Sequence, residues 1–228
     1  MNQKRLSLVA SLLFVPMGMM STAYATVTPA QVSVAQSAEA LVNQGVKQYQ
    51  QGNYQAAIER FNQALEMDSE LAQAYYYRGV SYFESGQKQK AIEDYTHTLR
   101  LEPNNASAYY DRAIAHTQLG NYQQAIADYN QALELQPDNA SAYFNRANAR
   151  TQQGNLKEAL SDFNQAIRLN PELAAAYANR GVTRAAVGEK KQAMADLQKA
   201  AELYREKGNQ QLYQSVQERI KRMQQSFD

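Results

Sequence analysis

Residues 106–139, ASAYYDRAIAHTQLGNYQQAIADYNQALELQPDN, decide the fold, because most of the chain repeats them. Shifted by thirty-four residues, the stretch aligns upstream with AQAYYYRGVSYFESGQKQKAIEDYTHTLRLEPNN (72–105). Downstream it aligns with ASAYFNRANARTQQGNLKEALSDFNQAIRLNPEL (140–173) and AAAYANRGVTRAAVGEKKQAMADLQKAAELYREK (174–207). A more divergent copy occupies 38–71, so five copies run from Ala38 to Lys207 without insertion or deletion and leave no room for another domain. A fixed period of about 20–50 residues marks a solenoid of stacked units.

Inside each copy the apolar period is helical. In the central copy Tyr109, Ala113 and His116 share one stripe of a first helix, and Ala125, Tyr129 and Ala132 share one stripe of a second. Gly120-Asn121 lies between them, where a left-handed residue ends a helix at little steric cost, and Pro137 marks the end of the second. Each copy therefore reads as a helical hairpin.

The slots that recur resemble the tetratricopeptide repeat. A large residue (Leu41, Tyr75, Tyr109, Tyr143, Tyr177) is followed four positions on by a small one (Gly45, Gly79, Ala113, Ala147, Gly181). The second helix carries Ala57, Ala91, Ala125, Ala159 and Ala193, then Phe61, Tyr95, Tyr129, Phe163 and Leu197. Pro103, Pro137 and Pro171 close three copies, where Ser69 and Arg205 stand in the first and fifth. The resemblance implies an all-α, right-handed α-solenoid of five tetratricopeptide hairpins (38–71, 72–105, 106–139, 140–173, 174–207). Small residues at the crossing let the helix axes approach, and the neighbouring aromatic fills the remaining space. Because a single hairpin cannot bury its own faces, neighbours stack and the ends need caps. Leu212, Val216, Ile220, Met223 and Phe227 form a stripe opposite Gln214, Gln217, Glu218, Lys221 and Arg222, which predicts a C-terminal capping helix over 209–225 within the segment 208–228.

One departure from the usual pattern is informative. The slot before the small residue, commonly apolar in this family, is Arg78, Arg112, Arg146 and Arg180, and the same copies carry Asp94, Asp128, Asp162 and Asp196 beside the second-helix aromatic. Copy one has Gln44 and Arg60 there instead. Charges that come and go together predict a partly buried Arg–Asp pair inside each repeat, since a buried guanidinium needs a partner. The competing reading is an arginine ladder that holds a phosphate or carboxylate.

In tetratricopeptide domains the first helices line a concave groove that takes up a peptide or a helix of a partner protein. By that resemblance the groove slots are Val42, Asn43 and Val46, then Tyr76, Tyr77, Val80 and Phe83, then Tyr110, Asp111, Ile114 and Thr117. Copy four adds Phe144, Asn145, Asn148 and Thr151, and copy five Ala178, Asn179, Val182 and Ala185. The lysine and asparagine set by which chaperone-binding members clamp a C-terminal carboxylate is missing. Instead Tyr76, Tyr77, Tyr110 and Phe144 make an aromatic ridge, with Asn43, Asn145 and Asn179 available to hydrogen-bond a peptide backbone. Aromatics gathered at a surface mark an interface; the alternative is that the rings pack between repeats.

The first 25 residues differ from the rest. Lys4 and Arg5 precede an apolar run from Leu6 to Met20, and Ala23-Tyr24-Ala25 follows at cleavage spacing, which reads as a secretory signal peptide with no membrane span left after its removal. Residues 26–37 read as a flexible leader, with Ser37 capping the first helix. Without Lys4 and Arg5 the chain carries 21 basic and 22 acidic residues, which offers no electrostatic footprint for nucleic acid. With no cysteine, neither a disulfide framework nor thiol chemistry is available. His97 and His116 lack a triad partner or metal-ligand spacing, so no enzyme activity, metal or cofactor is expected. Asn105-Ala106-Ser107 and Asn139-Ala140-Ser141 match the glycosylation sequon, but they also stand where helix caps belong. The whole reads as an exported scaffold or assembly factor, monomeric or weakly self-associating, of periplasm or, if from a cyanobacterium, thylakoid lumen. The alternative is a self-associating structural component of the cell envelope.

Overall fold

The computed structural model describes the backbone of residues 29–225 and the side chains of residues 37–225. Among the described residues are eleven α-helices and no strand. The first hairpin is α1 (Pro29–Gln50) and α2 (Tyr54–Met67), the second α3 (Ala72–Glu84) and α4 (Lys88–Leu101), and the third α5 (Ala106–Gln118) and α6 (Tyr122–Leu135). The fourth is α7 (Ala140–Gln152) and α8 (Leu156–Leu169), the fifth α9 (Ala174–Ala186) and α10 (Lys190–Glu206), and α11 (Gln210–Gln225) follows. From α3 onward the helices restart every thirty-four residues, so the register of the sequence is that of the backbone. The architecture is an all-α helical repeat solenoid.

The turns follow from local chemistry. Gly120 has φ +79°, which only a residue without Cβ adopts at no cost, and there the Asn121 amide returns to the His116 carbonyl at 2.9 Å. Gln136 caps α6 immediately before Pro137. The sequon asparagines act as caps: Asn105 Oδ1 accepts the Ala108 amide and Asn139 Oδ1 that of Ala142, each at 3.0 Å.

The core lies along the stack as linked clusters. Ala57, Ala91, Ala125, Ala159 and Ala193 are all fully buried, and Phe61, Tyr95, Tyr129, Phe163 and Leu197 pack beside them, also buried. Ala74 and Ala176 join the clusters of the preceding hairpin's second helix, so each unit completes the core of its neighbour. First helices also touch the first helix of the next hairpin, whereas no substantial contact joins second helices among the described residues. The stack therefore closes on the first-helix side, which becomes concave.

Three expectations differ. Residues 29–37, expected as a flexible leader, are helical, and Ser37 lies inside α1 rather than at its cap. Val42, assigned to the groove, is 2% exposed and packs with Ala57, Phe61, Ala64 and Ala74 in the core. Of the α11 stripe, Val216 and Ile220 are buried against Leu197, Ala200 and Ala201, while Leu212 is exposed. Phe227 and the signal-peptide segment 1–25 lie outside the described residues.

Candidate functional site

The Arg and Asp slots meet in every repeat that has them. Arg78 Nε and Nη2 donate to the two oxygens of Asp94 at 2.7 Å each, a fork matched by Arg112 on Asp128, Arg146 on Asp162 and Arg180 on Asp196. The third arm reaches back one repeat: Nη1 donates to Asn62, Thr96, Asn130 and Asn164 respectively, at 2.6–2.9 Å. Each guanidinium also lies 5.3–5.7 Å from the ring of the tyrosine three residues earlier. Bonded on both sides and stacked on one, each of these arginines uses all three of its nitrogens within the protein. Asp162 and Asp196 receive a second cation, from Arg150 and Arg184. In the third repeat that slot is His116, whose Nδ1 is buried without a partner; burial pushes this imidazole down, against the pull of Asp128.

The groove residues stand on the first helices, on the concave side. Tyr76, Tyr77, Val80, Phe83, Asp111 and Ile114 line one cleft of about 340 Å³, together with Tyr49, Glu84 and Tyr95. The Tyr76 hydroxyl donates to Asp111 Oδ2 at 2.7 Å, tying α3 to α5. One repeat on, Asn145 Nδ2 donates to the Tyr110 hydroxyl at 3.0 Å. Phe144 has no hydroxyl to continue the series, and Asn179 instead donates to Asn148 Oδ1 at 2.8 Å. Asn148 and Asn179 line a second space of about 170 Å³ with Thr151, Gln152, Val182 and Arg219. Arg219 comes from α11, so the capping helix also contributes to the concave face.

The aromatic ridge packs inside and between the repeats and also lines the concave side with Tyr76 and Tyr77. Tyr76, Tyr110 and Phe144 are half-buried, each with its ring about 6 Å from the fully buried aromatic of its own second helix: Tyr95 at 6.0 Å, Tyr129 at 6.0 Å and Phe163 at 6.1 Å. Tyr77 stacks on Phe61 at 6.3 Å and belongs as much to the junction of the first two hairpins as to the cleft. Val46 packs against the same junction and Asn43 is exposed; neither lines the cleft.

Among the lining residues that escaped the sequence reading, Glu84, Gln152 and Thr183 included, Tyr49 and Arg219 did so for different reasons. Tyr49 occupies in copy one the slot of Phe83, Thr117 and Thr151, so the period pointed to it. Arg219 lies on the cap, which has no counterpart in the repeats and gave no such signal. The electrostatics of the first cleft are set by burial. It pushes the Asp111 carboxyl up; the Tyr76 hydroxyl pulls it back and Glu84 pushes it further. The Tyr76 phenol is pushed up by burial and then by Asp111. His97 lies stacked on Tyr75 at 4.7 Å, away from the groove. Among the described residues no three His, Asp or Glu converge as a metal site, and no helix is long and apolar enough to cross a membrane.

The tetratricopeptide repeat family model matches residues 78–140, 110–174 and 144–207, and a second TPR repeat model matches 45–86. No curated protein sequence matches the chain. Among solved structures, MamA is 24% identical over 72% of this chain and 96% of its own, with a TM-score of 0.70. MamA of Desulfovibrio magneticus RS-1 is 20% identical over 74% of this chain and 96% of its own, at 0.71. YrrB, described as a TPR protein with an unusual peptide-binding site, is 25% identical over 78% of this chain and 90% of its own, at 0.69.

Proposed function

Since the chain belongs to the tetratricopeptide repeat family, whose models together match residues 45–207, we propose that it is an exported, non-enzymatic scaffold or assembly factor that binds a peptide or helix of a partner protein in its concave groove. The observation that carries this reading is the concave face itself. Two clefts open along one row of first helices, and their walls combine half-buried aromatics with amide side chains, the mixture that supplies contact area and backbone hydrogen bonds to a bound peptide. YrrB supports it as a similar chain described with a peptide-binding site. Export rests on the basic, apolar and small-residue pattern of residues 1–25.

The test blocks the groove without unpicking it. Truncating Tyr76 and Tyr110 to alanine would also remove interhelical hydrogen bonds and ring contacts, so lost binding and lost packing would be confounded. Val80→Arg with Val182→Arg instead fills both clefts and touches no hydrogen-bonded side chain. Affinity capture from the native source, compared between the two proteins, is expected to lose its specific partner in the variant while the melting temperature stays close to that of the parent. Retention of the same partner by a folded variant would move the binding site off the concave face.

A further inference from the structure

The first cleft carries more chemistry than a generic peptide groove requires. Its walls are the rings of Tyr49, Tyr76, Tyr77 and Phe83, and two carboxylates, Asp111 and Glu84, face the same space. Neither carboxylate forms an ion pair among the described residues; Glu84 is exposed, but Asp111 is half-buried, and most buried or half-buried carboxylates here are held by arginine. The contrast with the repeat interior is sharp. Asp94 and Asp128, buried one helix away, each receive a two-pronged guanidinium, whereas Asp111 receives only the Tyr76 hydroxyl. Asp111 and Glu84 both push the Tyr49 and Tyr95 phenols upward, after burial has done so.

Resting on the reading of the concave face as a peptide groove, we infer that this cleft selects a basic side chain, lysine or arginine, of the bound partner. Aromatic faces present negative quadrupole to a cation, and a carboxylate in a partly desolvated cleft adds a charge-assisted hydrogen bond. An incoming guanidinium or ammonium meets both at once, and it also separates Asp111 from Glu84 electrostatically. A neutral side chain of equal size gains only the apolar contact and leaves Asp111 half-satisfied in its site. An acidic one is repelled. The selectivity is local to the second and third repeats, because the slots of Asp111 in the fourth and fifth are Asn145 and Asn179.

The test uses a defined probe. N-acetyl-arginine amide and its uncharged counterpart N-acetyl-norleucine amide are titrated into the purified protein, with NMR signals of Tyr49, Tyr76 and Asp111 as readout. The cationic probe is expected to shift these signals saturably and the neutral one is not. The isosteric Asp111→Asn, Glu84→Gln variant is expected to abolish the response, because the amide oxygen that replaces the Asp111 carboxylate still accepts from Tyr76 while the charge is gone. For peptides selected from a random display library, replacing the required basic residue by norleucine is expected to weaken binding by about tenfold or more. Equal response to both probes, or an unchanged response in the charge-neutral variant, overturns the inference. If selected peptides bind without a basic residue and are lost on Val80→Arg, the inference falls while the groove reading stands. If peptide binding ignores Val80→Arg and Val182→Arg, both fall.

Discussion

At the scale of single residues, the chain is organised by guanidinium groups held through all three of their nitrogens. The Arg–Asp partnership is legible in the sequence because both members are absent together from copy one and present together in the rest. The third bond, from Arg112 Nη1 back to Thr96, is not legible, since it depends on how far neighbouring hairpins slide along each other. Arg112 and Asp128 keep 19% and 8% of their side-chain surface exposed. Asp128→Ala therefore leaves a largely desolvated cation with one neutral acceptor, and it is expected to cost about 3 kcal/mol, at the low end for a broken buried pair. Denaturant unfolding checks this, and an unchanged midpoint would return the arginines to the pool of ligand-binding candidates. His116 makes the complementary point. Burial lowers its folded pKa below the ordinary 6.5, so as pH falls the unfolded chain takes up this proton first, and stability drops from neutrality downward through that value. Arg150 and Arg184 show what fits the slot. His116→Arg should place a second guanidinium on Asp128, raise the melting temperature, and remove this part of the acid sensitivity in melts recorded between neutral pH and about 5.5.

At the scale of helices, the decisive quantity is how closely two backbones approach. The small slot on the first helix is glycine in copies one, two and five and alanine in three and four, and the sequence presents these as equivalent. The structure separates them. A Cβ built on Gly45 would lie 2.5 Å from the ring of Phe61, which is fully buried, whereas on Gly79 it would meet Tyr95 at 3.0 Å. Gly45→Ala is expected to destabilise by about 1–3 kcal/mol through overpacking. Gly79→Ala should be close to neutral, its tighter contact offset by the roughly 1 kcal/mol that alanine gains over glycine in a helix. Paired melts of the two variants decide it, and equal effects would mean that Phe61 moves freely. The same approach distances explain what the sequence could reveal of the elements. Helix starts were legible wherever an apolar stripe, a glycine turn or a proline stop recurred on the thirty-four-residue period. The helical run through residues 29–37 was hidden, because it lies outside the thirty-four-residue period that revealed the other helices. Val42 was hidden for a different reason. Its slot faces the groove in copies two to four, where tyrosine or phenylalanine fills it, but the smaller side chain in copy one sinks between the first two hairpins.

At the scale of the whole molecule, stability passes between neighbours, so the ends govern the middle only through the units between them. The C-terminal end is closed by α11, whose Val216 and Ile220 are each 7% exposed over Leu197, Ala200 and Ala201. Removing residues 209–228 would uncover that apolar face of α10 and delete Arg219 from the concave side, while leaving every Arg–Asp pair and its back-bond in place. In a nearest-neighbour stack the loss falls first on the fifth hairpin and fades along the chain. Hydrogen exchange of the truncated protein should therefore show amide protection lost in α9 and α10, weakened in α7 and α8, and nearly unchanged in α3 to α6. The uncovered face should also drive self-association beyond that of the full chain, visible as concentration-dependent light scattering. Uniform loss of protection from α3 to α10 would overturn the picture. The four Arg links would then couple the hairpins into one cooperative unit, and the cap would be part of that unit rather than a cover on its last member.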